Sequence, residues 1–124
     1  MPESMFKRYG GFATVSRIVS DFYGRTRESD VLNPYFDNVD MSVLIDHQTK
    51  FIASLMGGPA SYSDEHLRRV HRRLGISEEA FSEMGQLLRE TLEDHDVDDT
   101  DIGNVIGEVI ARRSYVVAGG QGDD

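Results

Sequence analysis

The sequence predicts an all-α domain, and two observations carry that prediction. Apolar residues recur at intervals of three and four in successive segments, the period of a helix with one buried face. Glycine, proline and capping residues punctuate those segments, as they do between helices. The one weak strand-like run is Tyr115-Val116-Val117. With 124 residues and 39% hydrophobic composition the chain suits one domain around one core. The domain is expected over residues 1–117, followed by a small, glycine-rich, acidic tail at 118–124.

Each element follows from local chemistry. Phe12, Val15, Ile18, Val19 and Phe22 share one face of a helix expected to run to about Arg27. Gly10-Gly11 precedes it and breaks any earlier short helix. Asn33-Pro34 starts a turn or a short helical turn, with Pro34 suited to a first helical position. Asp40 caps the next helix, on which Met41, Leu44, Gln48, Phe51, Ile52 and Leu55 share a face, Gln48 being its polar exception. Gly57-Gly58-Pro59 ends that helix. Residues 60–65 read as loop and Leu67 to Leu74 as a short basic helix stopped by Gly75. Ser77 caps a helix with Glu78 and Glu79 in its first turn and Phe81, Met84, Leu87, Leu88 and Leu92 on its apolar face. Asp94 to Asp101 reads as a solvated acidic loop that caps the last helix, whose Ile102, Val105, Ile106, Val109 and Ile110 are expected to face inward.

Composition excludes whole classes of chemistry. Without cysteine there are no disulfides, thiolate metal sites, thiol nucleophiles or iron–sulfur clusters. A metal would need His or carboxylate ligands. The formal charge of −9 disfavours nucleic acid as a partner. Lys7 and Lys50 are the only lysines, and an acidic, lysine-poor surface suits a salt-rich cytoplasm as well as an ordinary acidic protein. No apolar run approaches a membrane span, and the first residues lack a secretory pattern, so a cytoplasmic protein is expected. Zinc-protease, phosphate-loop, nucleophile-elbow and calcium-loop patterns are missing.

His71 lies in Leu67-Arg68-Arg69-Val70-His71-Arg72-Arg73-Leu74, between apolar helical neighbours Leu67 and Leu74. Three readings are open: a hydrogen-bonded core histidine, part of a nucleic-acid patch, or an axial haem ligand with arginines near the propionates. Gln48 and Tyr23 each need hydrogen-bond partners if buried.

A set of motifs in a fixed order then resembles a known family. The pieces are Tyr9-Gly10-Gly11, Asp21-Phe22-Tyr23-Gly24-Arg25, Tyr35-Phe36-Asp37-Asn38-Val39-Asp40-Met41, His47-Gln48, Phe51, Leu55 to Tyr62, His71 and Gly75-Ile76-Ser77. From about Phe6 to Tyr115 the chain resembles the group I truncated haemoglobins, two-over-two helical sandwiches around haem. The resemblance implies His71 as proximal iron ligand, Tyr23 and Gln48 as distal polar residues, and Leu44 as distal bulk. It implies Phe36, Phe51, Tyr62, Arg68, Ile76, Phe81 and Met84 around the cofactor, with His47 either a sixth iron ligand or a side chain near solvent or a propionate. The loop after Tyr62 reads Ser63-Asp64 where the family commonly has a glycine. Ile52 stands where some members have a phenylalanine linked to ligand access, and the last helix has no histidine for covalent attachment. Non-covalent haem b is therefore the implied cofactor. The implied function is binding of O2, NO and CO at ferrous iron, with NO dioxygenation to nitrate as an enzymatic extension that needs an electron donor or reductase. Peroxidase chemistry and sulfide binding stay open, and the oligomer is expected to be a monomer or weak homo-oligomer. The competing expectation is a haem-free helical module that holds an acidic partner through Arg68, Arg69, Arg72 and Arg73.

Overall fold

The computed structural model describes residues 4–58, 76–113 and 117. The short helix α1 spans Met5–Arg8, and α2 spans Gly11–Arg27. A 3-10 helix follows at Asn33–Phe36, then α3 at Met41–Leu55, α4 at Glu78–Asp94 and α5 at Asp99–Ala111. The expected loop at 60–65, the basic helix at 67–74 and the tail at 118–124 lie outside the described residues. Among the described residues no helix is long and apolar enough to cross a membrane.

The expected caps are in place. Ser77 accepts from the Ala80 amide at 3.0 Å. Asp40 accepts from Ser42 and Val43, and its carboxyl is held below the usual range, chiefly by the Ser42 hydroxyl. Helix α2 fills the middle of the core with Val15, Ile18, Val19 and Phe22. Phe51, Ile52 and Ala53 meet it from α3, Phe81, Leu88 and Leu92 from α4, and Ile102, Val105, Ile106 and Val109 from α5. Ile76 and Val117 form an isolated parallel bridge.

Helix α1 folds back on the end of α3. The Phe6 amide donates to the Met56 carbonyl at 2.9 Å. A Cβ on Gly58 would sit 2.8 Å from the Phe6 ring and 2.9 Å from the Ala53 carbonyl, so glycine is needed for this approach. Gly10 makes the turn from α1 into α2 at φ 108°, which glycine adopts without strain.

Three expectations are corrected. Phe12 is 42% exposed because it lies edge-on against Phe6, centroids 4.8 Å apart, at the rim of α1 rather than in the core. Ile110 is 56% exposed, since the inward stripe of α5 is set by Val105, Ile106 and Val109 and has rotated past it. The acidic stretch is not a solvated loop throughout. Asp94 ends α4, Val97 is buried, and Asp101 belongs to α5 and is buried against Arg8 and Tyr9. Arg8 Nη2 lies 3.0 Å from both Asp101 oxygens, and the Tyr9 hydroxyl donates to Asp101 at 2.7 Å. The same hydroxyl accepts from the Asp98 amide at 3.0 Å. These groups pin α1 to the start of α5 and hold the Asp101 carboxyl below its ordinary range, Arg8 first and Tyr9 second.

Two results follow. Tyr9→Phe removes the shared hydroxyl and should cost about 1 kcal/mol of stability in urea unfolding. Asp101→Asn should destabilise most near neutral pH, where the depressed native carboxyl favours folding. Its deficit against wild type should shrink as pH falls through the unfolded-state carboxyl range and below. A deficit independent of pH would assign the loss to packing.

Candidate functional site

The site grows from the phase of α2. One face of that helix buries Phe22, and a 100° step turns Tyr23 toward the 3-10 helix and α3. The Tyr23 ring is edge-on to Phe22 at 4.9 Å and to Phe36 at 5.7 Å, so two aromatic contacts fix its plane. Leu44 and Gln48 lie one turn apart on α3, as do Ala80 and Met84 on α4. The Ser77 amide donates to the Tyr35 hydroxyl at 3.2 Å, tying the 3-10 helix to the start of α4.

These elements enclose a cavity of about 210 Å³ lined by Tyr23, Phe36, Leu44, Gln48, Ile76 and Met84, with Phe22, Thr26, Leu32, Tyr35, Val39 and Ala80 completing the wall. A second, inner cavity of about 70 Å³ adjoins it between α2, α3, α4 and α5. Phe22, Tyr23, Gln48 and Met84 line both, and Val19, Phe51, Ile52, Leu88, Val109 and Arg112 line the inner one alone. Burial pushes the Tyr23 hydroxyl well above the ordinary phenol range, so it stays protonated and able to donate. Neither that hydroxyl nor the Gln48 carboxamide has a hydrogen-bond partner among the described residues. Both polar groups therefore sit on the wall of a mostly apolar space with their bonding capacity unused.

The structure brings together Tyr23, Phe36, Leu44, Gln48, Ile76 and Met84 around one cavity, with Phe51 on the lining of the adjoining one. Phe81 is buried in the core and lines neither cavity. His47 is exposed on α3 and lines neither. Tyr62, Arg68 and His71, with Arg69, Arg72 and Arg73, lie outside the described residues. Among the described residues no three His, Asp or Glu side chains gather as a metal site. Sequence reasoning missed Tyr35 and Arg112. Tyr35 stood inside a quoted motif without a role, and nothing local marks an arginine at the end of α5 as a cavity residue.

A mostly apolar cavity with Tyr23 and Gln48 on its lining can take an apolar cofactor and leave a small polar ligand beside those two groups. The known proteins that this chain resembles agree with that reading. The model of the family described as Bacterial-like globin matches residues 4–116. The Group 1 truncated hemoglobin GlbN of Synechocystis is 29% identical over 87% of this chain and 87% of its own. The GlbN of Mycolicibacterium paratuberculosis is 26% identical over 98% of this chain and 89% of its own. Among solved structures, Chlamydomonas reinhardtii THB1 superposes with a TM-score of 0.77 at 28% identity, covering 94% of this chain and 98% of its own. The 2/2 hemoglobin of Synechococcus, solved with covalently attached heme, gives 0.80 at 26% identity, covering 92% and 98%.

The partly buried Tyr23 phenol makes a direct prediction. In an alkaline titration followed by tyrosinate absorbance, Tyr23→Phe should remove a component that ionises well above pH 10 and leave the early components unchanged. Loss of an early component instead would place the Tyr23 hydroxyl in solvent.

Proposed function

This chain belongs to the Bacterial-like globin family, and from that premise we propose that it holds haem b non-covalently in the cavity between α2, α3 and α4 and binds O2 there. The observation that carries the reading is a pair of donors, Tyr23 and Gln48, on the lining of a mostly apolar cavity, with no hydrogen-bond partner among the described residues. His71 would hold the iron, and Phe36, Leu44, Ile76 and Met84 would pack on the ring. When bound, ferrous haem would supply an iron that takes up a diatomic molecule and would shift more negative charge onto O2 than onto CO.

The protein's part is to meet that charge. The Tyr23 phenol stays protonated, so it donates across the physiological range. The Gln48 amide adds a second donor from α3. In an apolar cavity neither competes with water for the ligand, which strengthens each bond. Leu44 excludes water from the same space without offering a donor. The exposed position of His47 supports the solvent or propionate reading over the sixth-ligand reading.

The finer reading is NO dioxygenation: NO and O2 with one electron give nitrate, so a reductase or other electron donor must act with the chain. Tyr23 and Gln48 would serve this step by retaining O2 until NO arrives. Cysteine-free composition suits a reducing cytoplasm. Family membership weighs against the haem-free module built on Arg68, Arg69, Arg72 and Arg73.

Optical spectra after haem addition test the cofactor. A saturable one-to-one Soret band, lost in His71→Ala and kept in His47→Ala, is the expected result; no specific uptake would refute it. Removing one hydrogen bond of about 1 kcal/mol makes O2 release roughly fivefold faster in Tyr23→Phe, with CO release changing less. Mixing the O2-loaded protein with NO should give stoichiometric nitrate in stopped flow. Nitrate formation at the uncatalysed rate would restrict the function to reversible ligand binding.

A further inference from the structure

We propose that Tyr35 is a positioning residue for the cofactor: its hydroxyl, bonded to the Ser77 amide, clamps the 3-10 helix to the start of α4 and so slows the escape of haem from the larger cavity. That haem is the occupant rests on the reading above; the clamp rests on geometry. Two walls of that cavity come from distant parts of the chain. Tyr35 and Phe36 belong to the 3-10 helix, whereas Ile76 and Ala80 flank the start of α4. The Ser77 amide donates to the Tyr35 hydroxyl at 3.2 Å, across 42 positions of sequence. Tyr35 is half-buried on the cavity lining and Ser77 is exposed, so the bond spans the edge of the cavity.

The 3-10 helix needs such a tie. It is four residues long, has no side-chain hydrogen bond at its N-cap and buries none of its residues. It packs chiefly on α2, to which Asn33 is bonded through Arg27 at 2.7 Å. Toward α4, Ser29 donates to Glu83 at 3.1 Å, but neither of these residues lines the cavity. The Tyr35 bond joins the two walls themselves.

The other end of the clamp is well anchored. The Ser77 hydroxyl accepts from the Ala80 amide at 3.0 Å, Arg113 Nε donates to Glu78 at 3.0 Å, and Ile76 bridges Val117. The Ser77 amide stands at a helix start, where a donor has no acceptor in its own helix. The phenol fills that role while the Ser77 side chain keeps its cap. Phenylalanine at position 35 would keep the ring and lose only this bond. Phe36 moves with the 3-10 helix, but Tyr23 is held by Phe22 on its own helix as well as by Phe36. Loosening the clamp therefore acts on retention of the cofactor and leaves the Tyr23 hydroxyl in place.

The test is transfer of haem from the loaded ferric chain to an excess of an acceptor apoglobin, followed optically. Tyr35→Phe should lose haem about threefold faster than wild type, the effect of one modest hydrogen bond, while O2 release stays unchanged. Arg113→Gln, which frees the start of α4 from the side of α5, should speed haem loss by less. Equal loss rates in Tyr35→Phe and wild type overturn the proposal, as does equal acceleration in Arg113→Gln. So does faster amide hydrogen exchange at Leu88 and Leu92 in Tyr35→Phe, which would mean that the core has loosened as a whole. If the wild-type chain takes up no haem, the cofactor reading fails and the retention claim falls with it. Haem uptake with equal loss rates removes the retention claim alone.

Discussion

The site depends on a double demand placed on α2. This helix supplies the central apolar side chains of the core, and it also supplies the Tyr23 phenol that lines the cavity. The two demands are compatible because Phe22 and Tyr23 are adjacent and so point about 100° apart. Phe22 is buried in the core, and Tyr23, held edge-on by Phe22 and Phe36, lines the same cavity as Gln48. Slippage of α2 by one residue would put a polar group in the core and an apolar one in the cavity.

Charge holds the frame around that helix. Asp21 and Arg25 pair across one turn of α2, and Arg25 also reaches Asp94 at 2.7 Å. His95 lies 3.0 Å from the same Asp21 oxygen, so the end of α4 is fastened on both sides of Tyr23 in sequence. Arg25 holds the Asp21 carboxyl below its ordinary range, with His95 as a smaller contributor. Arg8, Tyr9 and Asp101 fasten α1 to α5 in the same manner, and Arg113 pairs with Glu78 at the start of α4. Exposed pairs of this kind are individually weak. In a chain of net charge −9 they also place scarce cations where acidic helix ends meet, easing self-repulsion within the fold.

The two cavities follow from how unequal side chains meet. Ala80 on α4 and Leu44 on α3 leave room where larger residues would close the bundle, and Met84 and Gln48 stand at the junction of the two spaces. A bundle of this size would gain stability by filling that volume. The unfilled space is a local cost that a bound cofactor and ligand would offset.

The helices were legible in the sequence because their signals are local. Period, caps and glycine stops predicted α2, α3 and α4 closely, since Asp40 and Ser77 cap by reaching their own next turn and Gly10 turns where no other residue fits. The motif order made the family resemblance readable too, and with it Tyr23 and Gln48 as a pair. What the sequence could not decide depends on neighbours distant along the chain. Phe12 and Ile110 have the right period to be buried, but their exposure is set by where α1 and α5 come to rest. Asp101 looks like one more loop carboxylate until Arg8 and Tyr9, over ninety residues away, bury it. Arg112 carries no local sign of a cavity residue, because its place is created only where the end of α5 crosses Phe51. The sequence by itself determined the helices and the chemical character of the site. Tertiary packing decided which of those side chains face the cavity, because facing is a property of two surfaces and a helix specifies only its own.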